Sequence, residues 1–305
     1  MEYIRGTEFE IPGFSAVTLG KFDGMHLGHQ ELLANMERFR ADGAKMVVFT
    51  FGTSPYELLK GHTPLLMTNE ERRNYCERAG VDYLIEFPFT SEVCHMSAET
   101  FIQKVICKQL HARYVVVGTD FGFGYKRQGN VALLKSLEER FGYQTFPIEK
   151  KRDETGREIS STYIREELTA GHMEKAAALA GTPYYLSGEI VHGKQFGRTY
   201  GIPTINMIPQ EGKLLPPFGV YVSRVTLEKK TYRGVTNIGV RPTVSETGNV
   251  NMETFLFDFD GDVYGDEAVL ELLHYIRPEK KFSSLEELET QIKADANTAV
   301  NWKER

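Results

Sequence analysis

Cysteine is scarce: Cys76, Cys94 and Cys107 are the only three in 305 residues, and no two stand as Cys-x-x-Cys. That spacing argues against a disulfide framework and against a cysteine zinc site. Long hydrophobic runs are missing too, since no stretch approaches the ~18–20 apolar residues that span a bilayer. The opening Met1-Glu2-Tyr3-Ile4-Arg5 has neither the basic start nor the apolar stretch of a signal peptide. The expectation is a cytoplasmic protein with no membrane partner. Nor is there a basic excess. Lys and Arg total 36 against 42 Asp and Glu, a formal net charge of −6, which argues against a nucleic-acid binder dependent on phosphate contacts. An acidic chain can still hold small phosphorylated molecules through backbone amides, a few placed cations and a metal. Apolar residues make up 41% of the chain, enough for buried cores and too many for disorder.

Two textures follow one another. The first half alternates short apolar strands at residues 15–19, 45–51, 83–87 and 114–118 with helical patterns at about 26–40 and 98–110, the second capped by Ser97. Such alternation predicts a parallel sheet wrapped by helices, with ligands at the carboxyl ends of its strands. From Tyr184 the strands become short and regularly spaced, at 185–191, 219–227, 232–239, 252–259 and 268–275, which predicts a small antiparallel β-barrel. A helix opened by Ser284-Leu285-Glu286-Glu287, a capping-box pattern, closes the chain. The Ala-rich helix 173–180, stopped by Gly181 and Pro183, marks the boundary, giving domains 1–183 and 184–305. There are no internal repeats or low-complexity tracts.

Two phosphate-handling signatures lie about 170 residues apart. The first, Gly20-Lys21-Phe22-Asp23-Gly24-Met25-His26-Leu27-Gly28-His29, joins a strand to a helix start. His26 and His29, three apart, share one face of the first turn, and Gly28 lets a ligand approach the backbone. The imidazoles and the helix N-terminus suit a phosphate under attack; a capped helix with two ordinary histidines is the plain alternative. Supporting segments are Gly118-Thr119-Asp120-Phe121-Gly122-Phe123-Gly124, followed by Lys126 and Arg127, and Ser160-Ser161-Thr162-Tyr163-Ile164-Arg165, which offers hydroxyls and a cation to a triphosphate. The second signature runs from His192 through Gly193, Lys194, Gly197, Arg198 and Gly201 to Pro203-Thr204-Ile205-Asn206. Its glycines allow a loop around phosphates, Lys194 and Arg198 offset charge, and Thr204 and Asn206 present hard oxygens suited to Mg2+.

The first signature resembles the nucleotidyltransferase superfamily related to class I tRNA synthetases. With the second, the chain resembles the bifunctional prokaryotic riboflavin kinase/FAD synthetases over nearly its whole length. Further matches are Gly219-Val220-Tyr221, Asn237-Ile238-Gly239-Val240-Arg241-Pro242-Thr243, Glu253 before Phe257-Asp258-Phe259, Tyr264-Gly265 and Ile276-Arg277-Pro278-Glu279. The resemblance implies an α/β nucleotidyltransferase domain with a Rossmann-like parallel sheet, followed by a riboflavin kinase barrel. It implies ATP as co-substrate with Mg2+, and riboflavin, FMN and FAD as ligands.

For the site residues, the resemblance implies ATP and phosphate binding by Gly20, Phe22, Asp23, Gly24, Gly28, Ser161, Thr162 and Arg165, with His26 and His29 catalytic. It implies flavin contacts from Asp120 and Phe121 in the first half and Arg277 in the second. It implies kinase ATP contacts from Gly193, Lys194, Gly197, Arg198 and Gly201, metal contacts from Thr204 and Asn206, and Glu253 as catalytic base. The chain departs from the family pattern at Ser54, where a histidine is usual, at Thr53, in the place of a proline, and at Gly122, where a bulky polar residue, often Arg, is usual. Ile205 replaces the more frequent Ala. These departures leave open a riboflavin kinase whose first half no longer adenylylates efficiently, or a flavin-binding regulator without turnover.

Overall fold

Parallel strands need a return crossover, and the helical stretches between the apolar runs supply it. The computed structural model describes residues 1–52, 63–192, 204–228, 230–240 and 250–304. The chain divides into two compact units, Met1–Ser161 and Thr162–Arg305. The division falls ahead of the expected boundary at 183/184, so the Ala-rich helix belongs to the second unit by compactness.

The first unit contains β1 (Glu2–Arg5), β2 (Ser15–Leu19), β3 (Lys45–Phe51), β4 (Tyr83–Phe87) and β5 (Ala112–Gly118). A two-residue ribbon of β6 (Gly122–Phe123) and β7 (Gly129–Asn130) follows, then β8 (Gln144–Ile148). The main sheet has the order β1-β4-β3-β2-β5-β8 with every pair parallel. Its two outer strands were not among those expected from the sequence. β1 is only four residues long, and β8 carries Pro147, which a sheet tolerates at its edge because no ladder hydrogen bond is lost. Strand order reverses between β2 and β5: β3 and β4 extend one way and β8 the other. In sheets of this kind ligands bind in the crevice above the carboxyl ends of the strands where the order reverses, here β2 and β5.

Helix α1 (Leu27–Glu37) follows β2 directly, and α2 (Asn69–Arg78) opens with a capping box between Thr68 and Glu71. Ser97 caps α3 (Ala98–Phe101) as expected, but the helix continues to Gln109 as a π-helical stretch. Val17, Val47, Ile85 and Val115 are fully buried in the middle of the sheet, with Phe49, Phe87 and Phe101 packed against them. No helix among the described residues is long and apolar enough to cross a membrane.

In the second unit, α4 (Ser161–Thr169) starts at the division and α5 (Met173–Ala180) ends at left-handed Gly181. Then come β9 (Tyr184–Val191), β10 (Thr204–Met207), β11 (Gly219–Leu227), β12 (Lys230–Val240), β13 (Val250–Leu256) and β14 (Glu267–Pro278), closed as a barrel in the order β10-β13-β12-β11-β14-β9. β10 is a strand the sequence pattern did not separate from the glycine-rich run before it. β13 stops at Leu256 rather than 259 because Asp258 is left-handed and turns the chain. The burial pattern of β9 alternates residue by residue, as a barrel wall requires. Three hydroxyls inside the barrel satisfy one another: Thr236 lies 2.8 Å from both Ser223 and Thr254. Helix α6 (Leu285–Asn301) is capped by Ser284, whose hydroxyl accepts from the Glu287 amide. The return bond of Glu287 goes to the amide and hydroxyl of Ser283, one residue before the position the capping-box pattern implied.

Candidate active sites

The turn after β2 is held by its side chains rather than by glycine alone. Phe22 (φ 49°) and Met25 (φ 40°) are left-handed and lie on either side of Gly24 (φ 88°). Each non-glycine residue in that region stores about 1 kcal/mol, and burial of both side chains to 1% exposure or less offsets it. The Phe22 ring lies under Gly20. The Asp23 carboxylate is buried and accepts from the amides of Leu66 (2.9 Å) and Met67 (3.3 Å), so it fastens the turn to the start of α2. Ser161, the last residue of the first unit, donates its hydroxyl to the Asp23 carbonyl at 2.7 Å and so reaches the same turn. Thr162 and Arg165 follow on α4, in the second unit.

His26 is the N-cap residue of α1 but its side chain caps nothing. Its ring instead stacks on that of His29, with centroids 3.8 Å apart, and Phe22 lies 5.1 Å from His29. Gly28 makes the stack possible, since a Cβ there would lie 3.1 Å from the His26 ring. Burial pushes His26 down to about 4, against a smaller opposing pull from Asp23. Burial, then the neighbouring His26, holds His29 well below the usual imidazole range. Both rings are neutral at pH 7, and the Nδ1 atoms of both are buried without a hydrogen-bond partner. Stranding an N–H there would be the more expensive choice, so the proton belongs on Nε2 of each ring.

At the end of β5, Asp120 is bonded to Lys150 at 2.8 Å, and Lys150 also reaches Glu158 at 3.0 Å. Phe121 stacks on Phe123 with centroids 5.3 Å apart. The departure at Gly122 has a spatial counterpart: a Cβ there would lie 2.9 Å from Arg127 Nε and 3.3 Å from its Cζ. The guanidinium of Arg127 therefore occupies the room that a side chain at 122 would need. Lys126 and Arg127 are both left-handed, which turns the ribbon back over that glycine. The departures at Thr53 and Ser54 lie outside the described residues.

The second cluster lies on the barrel wall. Alternation sends Met252 and Thr254 into the barrel and Asn251 and Glu253 to its other face. Register places Glu253 opposite both Asn206 on β10 and Asn237 on β12. Thr204 donates its hydroxyl to Glu253 at 2.9 Å, and Asn251 donates its amide to Asn206 at 3.0 Å. Thr204, Asn206, Asn251 and Glu253 thus form one patch of hard oxygen atoms. The side-chain oxygen of Asn251 is buried with no partner. No group of three or more His, Cys, Asp or Glu residues able to hold a metal occurs among the described residues. This donor set therefore fits a divalent cation held mostly by phosphates and water rather than by a protein cage. Gly193, Lys194, Gly197, Arg198, Gly201 and Arg241 lie outside the described residues. Arg277 directs Nε and Nη2 to the buried Asp295 (3.1 and 2.7 Å) and Nη1 to the Pro278 carbonyl, which commits its guanidinium to the barrel–α6 contact.

Asn251 was not singled out from the sequence, and Arg127 entered only beside Lys126 as a cation after the glycine segment. Asn251 carried a signal, being two positions from Glu253 and so on the same strand face. The reach of Arg127 to Gly122 depends on a left-handed turn that its residue types do not announce.

Comparison with known proteins finds two family models on this chain. Residues 9–163 match the FAD synthetase family model and residues 180–303 the riboflavin kinase model. A bifunctional riboflavin kinase/FMN adenylyltransferase of Haemophilus influenzae is 38% identical, covering 93% of this chain and 92% of its own length. Its Escherichia coli counterpart is 36% identical over 98% and 97% of the two chains. A crystal structure from Streptococcus pneumoniae, described as a macrolide-efflux protein, superimposes with a TM-score of 0.89 at 32% identity, covering 99% of this chain and 100% of that one. The shared length and both matched domains show that the chain belongs to the family of bifunctional riboflavin kinase/FMN adenylyltransferases.

Proposed function

We propose that this chain phosphorylates riboflavin to FMN with ATP, then joins FMN to the AMP moiety of a second ATP to give FAD and pyrophosphate. We assign adenylylation to residues 1–183 and phosphorylation to 184–305, and place both in the cytoplasm, where ATP is available. The observation that carries the reading is the presence on one chain of two chemically different clusters: a neutral stacked histidine pair, and a carboxylate held by a hydroxyl.

Phosphorylation needs a base, because the nucleophile is a primary alcohol. Glu253 takes the proton of the riboflavin hydroxyl as its oxygen bonds to the γ-phosphorus and the bond to the β,γ-bridging oxygen breaks, releasing ADP. Thr204, by donating to Oε1, holds the carboxylate in one orientation and leaves its remaining lone pairs for that proton. Thr204 and Asn206 would hold Mg2+, which when bound neutralises phosphate charge. Lys194, Arg198 and the glycines 193, 197 and 201 are assigned to the ATP phosphates.

Adenylylation needs no base, since the FMN phosphate is already ionised near neutral pH. One of its oxygens attacks the α-phosphorus of ATP, and the bond to pyrophosphate breaks. His26 and His29 donate Nε2–H to the α-phosphate oxygens as charge builds there, and as neutral groups they give up no proton. The buried turn that orients them costs nothing further during the reaction. Gly20, Phe22, Gly24 and Asp23 shape that turn; Ser161, Thr162 and Arg165 are assigned to the triphosphate. Asp120 and Phe121 are assigned to the flavin of FMN.

The test is incubation with FMN, ATP and Mg2+, following FAD by chromatography, alongside riboflavin with ATP, following FMN. Formation of both products is expected. FMN without FAD would leave a riboflavin kinase alone, and neither product would defeat the reading.

A further inference from the structure

One atom on the barrel patch meets no partner among the described residues. Asn251 is 8% exposed; its amide nitrogen bonds Asn206, yet its carbonyl oxygen is buried with no partner. Leaving such an acceptor unmet is costly, and native proteins rarely keep one without a ligand or an ordered water to meet it. A carbonyl oxygen cannot donate, so it repels phosphate oxygens. It takes a cation, or a hydrogen donated by water or a ligand hydroxyl, and beside Thr204 and Asn206 the cation or its water fits. The neighbours share this bias. Glu253, two residues along the same strand face, is an acceptor, and the Asn206 oxygen is turned toward the same patch by the Asn251 amide.

We propose that Asn251 is a third member of the divalent-cation site of the kinase half, beside Thr204 and Asn206. Its nitrogen fixes the rotamer of the Asn206 amide, and its oxygen faces the cation or a water in the cation's shell. The assignment rests on the kinase reading above. It gives one residue two tasks, positioning a neighbour and supplying a donor, and so explains why an amide rather than an apolar side chain is buried there.

The probe is Mn2+ with ADP, which binds without turnover. Bound Mn2+ is read from the loss of the free-ion electron paramagnetic resonance signal, on the full chain. Asn251→Ala is expected to weaken Mn2+·ADP binding about tenfold, and Asn251→Asp to retain it. Riboflavin affinity, read by flavin fluorescence quenching, should stay within twofold in both. Asn251→Leu fills the space without an oxygen. It should match the alanine variant in Mn2+ affinity while keeping the melting temperature, which decides the matter if the alanine variant folds poorly. Wild-type Mn2+·ADP affinity in a folded Ala or Leu variant would overturn the assignment. So would a loss confined to riboflavin, which would make Asn251 a partner of a ribityl hydroxyl instead. If the unsubstituted chain binds no Mn2+·ADP and forms no FMN, the kinase reading falls and this assignment with it. If it does both and the variants do not differ from it, only this assignment falls.

Discussion

Acidification should protonate the histidine pair of the first unit only well below the usual imidazole range, and destabilise that unit on the way. Burial holds the His26 pKa down to about 4, against 6.5 for an unperturbed imidazole. The folded-state value is the lower one, so between those limits the unfolded chain binds a proton that the folded chain refuses. Stability is therefore lost as pH falls through 6.5 and levels off below about 4, where the native ring also titrates. A fall from 6.5 to about 4 corresponds to ~3 kcal/mol between the two limits, of which ~2 kcal/mol is gone by pH 5. His29 acts in the same direction, and its 3.8 Å stack on His26 means the two rings cannot both charge without repulsion.

The perturbation is His26→Asn, which keeps a polar side chain but cannot titrate. Native-state hydrogen exchange at Val17 and Val47, in the middle of the sheet, reads the stability of the first unit. Intrinsic tryptophan fluorescence would not, because the single tryptophan, Trp302, is in the second unit. Wild-type protection should fall by ~2 kcal/mol more than that of His26→Asn between pH 7 and pH 5. The Hε1 proton resonance of His26, assigned by its disappearance in the variant, should not titrate between pH 7.5 and 5. A midpoint near 6.5 would refute the argument that burial of this ring dominates its neighbourhood, and with it the claim that both rings donate as neutral groups.

Glu253→Gln should lower kcat for riboflavin phosphorylation by about 10²–10⁴-fold, the range of a lost general base, while FMN adenylylation stays within twofold; equal loss of both activities would contradict separate sites. Asp295→Ala leaves the Arg277 guanidinium beside α6 without its carboxylate. Because Arg277 is partly exposed, the expected destabilisation of the barrel is ~2–3 kcal/mol, below the full range for a buried pair, read as an earlier thermal transition in Trp302 fluorescence. Unchanged melting would show that this ion pair does not hold α6. Gly122→Ala places a methyl 2.9 Å from Arg127 Nε, and the end of a flexible side chain can yield, so stability should change by less than ~0.5 kcal/mol. Gly124→Ala meets the backbone of Ala98 at 2.7 Å and must hold φ at 71°, so it should cost ~2–3 kcal/mol by chemical denaturation; comparable effects of the two would refute the geometry of the ribbon.

What could be read from the sequence was whatever lies close in sequence. His26 and His29 share a helical turn, and the strands of the sheet centre are short, largely apolar runs. Their partners are set by tertiary return, which no local pattern carries: Ser161 reaches the carbonyl of a residue 138 positions away, and Asn251 one 45 positions away. Edge strands hid for a different reason, since β1 and β8 are short and mostly half-buried or exposed and so lack a continuous apolar signature. Gly122 shows how far this distinction matters for function. Compared position by position, the chain lacks the side chain that the family pattern usually carries at 122. Compared in space, the guanidinium of Arg127 fills that volume from five residues on, through a turn that two left-handed residues make possible. A departure from a motif therefore counts against an activity only when the volume and charge it removes are not returned by another residue. At this position the volume and a positive charge are returned, so a missing side chain at 122 is by itself no argument against FAD synthesis.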